Sequence, residues 1–176
     1  MTVNERVARV SLLAGIILAV GGCGQPLRPM QFNNRIAKSN LKLSEGAKRF
    51  YKGLEPLSKG GAADQATAKA GYDDVTNALR DIKKDFDTII PPGDPAASDL
   101  MAKYQAFLKA QQSIYDNAIT PMWNIVQDNG RFPDPGAKWL AISPLLARAS
   151  GEERSAMDAL RKSQQDYCQY YKLEPK

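Results

Sequence analysis

The chain reads as an all-α protein: an antiparallel up-down four-helix bundle with a kinked third helix and an irregular 128–150 connection. Three observations carry that expectation. Val75 and Val126 are the only valines after Cys23, alanine is abundant, and no run alternates apolar with polar residues, so helix formers prevail over strand formers. Apolar residues recur at steps of three and four in four separate stretches, the spacing of a helix face. Proline and glycine clusters fall between those stretches, where helices stop and restart.

The first face runs Ile36, Asn40, Leu43, Ala47, Phe50, Leu54 and Leu57, and Pro56 with Gly60–Gly61 ends it. A second face, Ala68, Tyr72, Val75, Leu79, Ile82, Phe86 and Ile89, stops at Pro91-Pro92-Gly93. Asp94 then supplies a cap and Pro95 the first helical position. The third face follows as Leu100, Tyr104, Phe107, Gln111, Ile114 and Ala118; Pro121 is expected to kink this helix or to split off residues 122–128. The fourth face is Met157, Leu160, Gln164, Tyr167 and Tyr171, with Ser150 and Glu153 at the spacing of a capping box. Residues 130–149, rich in proline and glycine, are expected to form a loop with one or two short helical turns. Asn40, Gln111 and Gln164 fall on core faces, either pairing with one another to set register or lying at bundle edges. Gly46 and Gly71 sit inside the first two helices, where they either let those helices approach closely or mark local breaks.

The start of the chain is different in kind. Arg6 and Arg9 give it positive charge, Val10 to Val20 form an apolar run, and Val20-Gly21-Gly22-Cys23 follows. The run fits a signal-peptide core of roughly 7–15 residues and is short of the ~20 that a spanning helix needs. Together these parts resemble the lipobox leader of bacterial lipoproteins. The resemblance covers residues 1–24 alone. It implies cleavage before Cys23, a diacylglycerol on the Cys23 sulfur, a palmitate-type acyl chain on its amine, and hence stable attachment to a membrane. Gly24 stands where such proteins in Gram-negative bacteria carry Asp when kept at the inner membrane, which implies the periplasmic face of the outer membrane. The organisation expected is a cleaved leader over 1–22, a lipidated tether over 23–32, a helical bundle over 33–172 and a tail over 173–176. At ~3.3–3.6 Å per residue, 24–32 reaches about 30 Å at most. The start of helix one, the 91–95 turn and the C-terminus are then expected near the membrane, and the 56–62 turn and the 120–140 region far from it.

Composition narrows the function classes. A net charge of +5 without a dense basic block suits a surface near anionic lipid or polymer and gives no footprint for nucleic acid. With Cys23 acylated, Cys168 has no partner in the chain, so packing alone must hold the domain. Cys168 reads as a small buried residue, an intermolecular disulfide partner or a redox sensor. No histidine occurs, which removes Ser-His-Asp and Cys-His catalysis and the di-iron bundle motif. Neither a Walker loop nor a Gly-x-Gly-x-x-Gly loop is present. Asp73, Asp74, Asp81, Asp85 and Asp87 interleave with Arg80, Lys83 and Lys84, a solvated face expected to carry weak pairs such as Lys83–Asp87 and Asp81–Lys84. Calcium-loop spacing is absent, so neither a metal nor a cofactor is expected, and the chain is expected not to be an enzyme.

What remains is binding. Trp123, Phe132 and Trp139 concentrate aromatic surface in the 120–140 region, either as a contact for an envelope protein or polymer or as a plug for the open end of the bundle. Tyr167, Tyr170 and Tyr171 read as a ligand platform or as the amphipathic end of a core helix. The expected function is a non-catalytic, lipid-anchored binding or scaffold protein of the cell envelope. The alternative is a ligand-sensing bundle that holds a small molecule between helices near Asn40, Gln111 and Gln164.

Overall fold

The computed structural model describes residues 26–173, all helix and connecting turns with no strand among them. The leader, Cys23 and residues 174–176 lie outside the described residues. Helix α1 spans Pro29–Leu54, α2 Gln65–Phe86, α3 Pro95–Ile114, α4 Thr120–Gln127 and α5 Pro135–Tyr170. A π turn over Tyr115–Ile119 joins α3 to α4, so the described residues make four long helical stretches.

Local chemistry sets most of the boundaries. Pro29, with its φ preset for a helix, opens α1 inside the span read as tether, and Phe32 is already fully buried. The end of α1 tightens into a 3-10 turn, Glu55–Lys59, closed by Gly60 in the left-handed region at φ 78°. Asp64 and Asp94 cap α2 and α3 by accepting the backbone N–H of Thr67 and Ala97. Pro121 does not detach the residues after it. The N–H of Thr120 reaches back five residues to the Tyr115 carbonyl, and the wider turn places the proline at the start of α4.

The irregular 128–150 connection is corrected by the structure. Only 128–134 is non-helical there; Asp134 accepts the Ala137 N–H and Pro135 takes the first position, so α5 starts at once. Pro144 is inside that helix and exposed. Its missing N–H would have met the carbonyl of Leu140, the most exposed of the large apolar residues, so the interrupted bond lies on the solvent side, where water can serve the carbonyl. The capping box falls with the loop: Ser150 donates its hydroxyl to the Leu146 carbonyl within the helix.

Helices α1 and α2 touch backbone to backbone. A Cβ placed on Gly46, Gly53 or Gly71 would stand 2.9, 2.3 or 2.1 Å from the backbone nitrogen of Val75, Ala68 or Phe50 respectively. As α1 climbs from 46 through 50 to 53, its partner on α2 falls from 75 through 71 to 68, an antiparallel register with no room for a side chain. Arg49–Asp74 and Arg35–Asp85 ion pairs clamp the same two helices. Two of the four aspartates in α2, Asp74 and Asp85, therefore bind α1. Asp73 pairs with Lys69 and Asp81 with Arg80; the expected Lys83–Asp87 and Asp81–Lys84 pairs are not among these. Against α5, α3 is held by the Ser163 hydroxyl donating to Asp99 at 2.8 Å and by Tyr171 donating to Asp94. The core between the two helix pairs contains Phe32, Ile36, Phe50, Leu100, Tyr104, Met122, Val126, Ile142, Leu160 and Tyr167.

Candidate functional site

The aromatic 120–140 region is built on a stack. Trp123 lies on Tyr72 at 5.8 Å between ring centres, and Tyr72 lies on Tyr115 at 5.5 Å. Hydroxyls tie the stack down: Thr76 and Tyr115 are 2.7 Å apart, and Tyr72 and Thr120 3.4 Å. Trp123 is only 8% exposed, so its ring supports the α2–α4 contact and offers little to a partner. Trp139 is half-buried against the core and Phe132 half-buried in the loop. The residue that projects is Leu140, 75% exposed, beside Trp139 in α5.

The loop that carries Phe132 is fixed at both ends. Asp128 accepts the Arg131 N–H through its side chain and the Phe132 N–H through its carbonyl. Lys138, buried, donates from Nζ to the Val126 carbonyl at 2.5 Å and to Asn129 Oδ1 at 2.7 Å. A cation at the C-terminal carbonyls of α4 meets the negative end of the helix dipole and holds the loop to α5. Lys138 and Leu140 give no sequence signal of their own, because the prolines and glycines of 130–149 resemble a loop with one or two short helical turns. A helical reading from Asp134-Pro135 places Lys138 and Ile142 on the core face.

Of the two readings for the core-facing amides, pairing with one another is not what the structure shows. Gln164 donates to Asn33 at 3.2 Å. Asn40 Oδ1 and Gln111 Nε2 are buried without a hydrogen-bond partner, as is the hydroxyl of the wholly buried Tyr104. Ser39, beside Tyr104, turns its hydroxyl to the Arg35 carbonyl instead. Burial raises the Tyr104 pKa.

At the opposite end the three C-terminal tyrosines take different roles. Tyr167 is buried, edge-on to Phe32, and donates to the Pro29 carbonyl at 3.1 Å. Tyr171 donates to Asp94; burial, then that contact, pushes its pKa up to about 12, while the Asp94 carboxyl is held below its ordinary range. Tyr170 is 60% exposed. Together with Tyr167, Pro95, Ala96, Asp99 and Ser163 it lines an open groove of about 350 Å³. Cys168 is half-buried and accepts from Asn33 Nδ2 at 3.6 Å; desolvation raises its pKa, so near neutral pH it is a thiol.

Cys23, the expected lipid site, lies outside the described residues. Among the described residues no helix is long and apolar enough to cross a membrane, and no cluster of three His, Cys, Asp or Glu side chains is placed to hold a metal ion. No protein-family model, curated protein or solved structure matches the chain.

Proposed function

We propose that the protein is a non-catalytic, lipid-anchored binding or scaffold component of a bacterial cell envelope. It is held by acyl chains on Cys23, at the periplasmic face of the outer membrane in a Gram-negative host. The four helical stretches form an up-down bundle whose third member bends at the π turn before Pro121. The bundle stands on the membrane by the end where α1 begins. It presents Phe132, Trp139 and Leu140, at the other end, to an envelope protein or polymer. The observation that carries this reading is the projecting Leu140 beside half-buried Trp139, next to a loop that Lys138 fixes. Rigid apolar anchors within a polar rim are the usual centre of a binding surface. The carboxylates that a catalytic reading needs are engaged structurally: Asp64, Asp94 and Asp134 cap helices and Asp74 and Asp85 clamp α1.

In-cell photocrosslinking from position 140 tests it, with position 83 on the exposed charged face as control. A discrete adduct from 140 and none from 83 is the expected result. No adduct at 140 in correctly lipidated protein contradicts it. The second reading, a small-molecule sensor, draws on the unpartnered polar atoms of Asn40, Tyr104 and Gln111, since buried polar groups normally have partners. A polar ligand that raises the melting temperature of the wild type, and not that of Tyr104→Phe, favours it.

A further inference from the structure

Five large apolar side chains are conspicuously exposed among the described residues: Met30, Leu41, Ile90, Leu140 and Tyr170. Three of them gather at one end. Met30 is in the first turn of α1. Ile90 accepts, through its carbonyl, the backbone N–H of Leu27 at 3.0 Å. Tyr170 stands next to Tyr171, which is bonded to Asp94. The exposures are 54% for Met30, 44% for Ile90 and 60% for Tyr170. Scattered apolar residues on a surface are ordinary; a group at one end marks a contact.

The chain leading to that end says what covers it. Leu27 packs on the core as well as bonding to Ile90, so in the sequence three residues, 24–26, separate an acylated Cys23 from the bundle. Three residues span about 10 Å at most, which brings this end to the headgroups. We infer that the end formed by Met30, Ile90 and Tyr170 is a membrane-contact surface, seated in the interfacial layer of the same bilayer that holds the acyl chains. The inference rests on the lipid-anchor reading above. Tyrosine favours that layer because its ring is apolar and its hydroxyl wet.

Lys172 supplies an independent sign. Helix α5 ends in a Schellman turn, in which the Leu173 N–H bonds the Cys168 carbonyl at 2.8 Å and the Lys172 N–H bonds the Gln169 carbonyl at 3.1 Å. The residue at this corner is normally glycine. Here it is an exposed lysine at φ 52°. A strained position that keeps a cation beside the apolar group fits a lysine that reaches lipid phosphates. Arg28, also exposed, flanks Met30.

The test uses the full lipidated protein in vesicles of phosphatidylethanolamine and phosphatidylglycerol with brominated acyl chains. Trp123 and Trp139, in the aromatic region, give a signal that bromine leaves unchanged. In Tyr170→Trp the added emission is expected to lose most of its intensity to bromine. Adding Met30→Asp and Ile90→Asp, both at exposed positions, is expected to restore it. Lys172→Gly relieves the left-handed lysine, so it folds at least as stably, and it is expected to restore part of the emission. An unquenched Tyr170→Trp in protein that floats with the vesicles overturns the membrane-contact surface and leaves the anchor standing. Quenching that ignores both the aspartates and Lys172→Gly overturns it too. Protein that does not float, with no acyl mass on Cys23, overturns both readings.

Discussion

At the scale of single residues, the α1–α2 contact is decided by hydrogen atoms. A methyl group on Gly71 would fall 2.1 Å from the Phe50 nitrogen, and the obstruction is backbone, which cannot rotate away. Gly71→Ala is expected to cost about 1–3 kcal/mol or more, as overpacking does. Gly151, exposed in α5 with open space around it, gives the opposite sign: Gly151→Ala is expected to gain about 1 kcal/mol from helix propensity. Urea denaturation of the two variants checks both. Glu153 adds a pH dependence, because burial raises the pKa of its carboxyl. Below the ordinary value of 4.5 the group is neutral in folded and unfolded chains alike. As pH rises past that value the unfolded chain ionises first, so stability falls until the half-buried carboxyl of the folded chain ionises too. Glu153→Gln is therefore expected to raise the melting temperature at pH 7 and to leave it nearly unchanged at pH 4. Asp94 works in the other direction: its lowered pKa, due first to the Tyr171 hydroxyl, gives stability that is present above pH 3.8 and lost as pH falls below it.

Among the elements, α5 shows where a sequence misleads. The apolar steps of α1, α2 and α3 recur in the core as Ile36, Phe50, Val75, Ile82, Leu100 and Phe107, because periodicity records which face is buried. Residues 130–149 carry the same information at Lys138, Ile142 and Ala149, masked by three prolines in a short space and by a lysine where the core expects an apolar residue. Pro133 precedes the cap, Pro135 starts the helix and Pro144 lies on its exposed side, so none of the three opposes it. Gly46 and Gly71 were legible as candidates for close approach; Gly53, near the helix end, passes in sequence for part of a stop signal. Of the aromatic site, Trp123, Phe132 and Trp139 were visible by composition, but the burial of Trp123 depends on Tyr72 from another helix. No local pattern carries that. Lys138 makes the element-scale prediction. Lys138→Met keeps the packing and strands the Val126 carbonyl and Asn129, a loss of about 1–3 kcal/mol. Amide hydrogen exchange is expected to quicken over 128–134 ahead of the rest of the chain.

For the whole molecule, the two ends have opposite characters. One end ties the α1 start, the 90–95 turn and the α5 end together through Leu27–Ile90, Tyr167–Pro29 and Tyr171–Asp94. The other carries Phe132, Trp139 and Leu140 around a loop pinned by Lys138. Helix α1 alone, at 26 residues, is about 39 Å long, so a bundle seated on the bilayer by its tied end would hold its aromatic end clear of the headgroups. In the orientation proposed above, a short tether from an acylated Cys23 would fix which end meets lipid and which end is free. All of it depends on Cys23. The most direct measurement is the intact mass of the protein extracted from membranes of a bacterial host. The expected species begins at Cys23 and carries a diacylglycerol and a third acyl chain. A chain that retains its leader, or one cleaved elsewhere with an unmodified Cys23, would contradict the anchor and the orientation drawn from it.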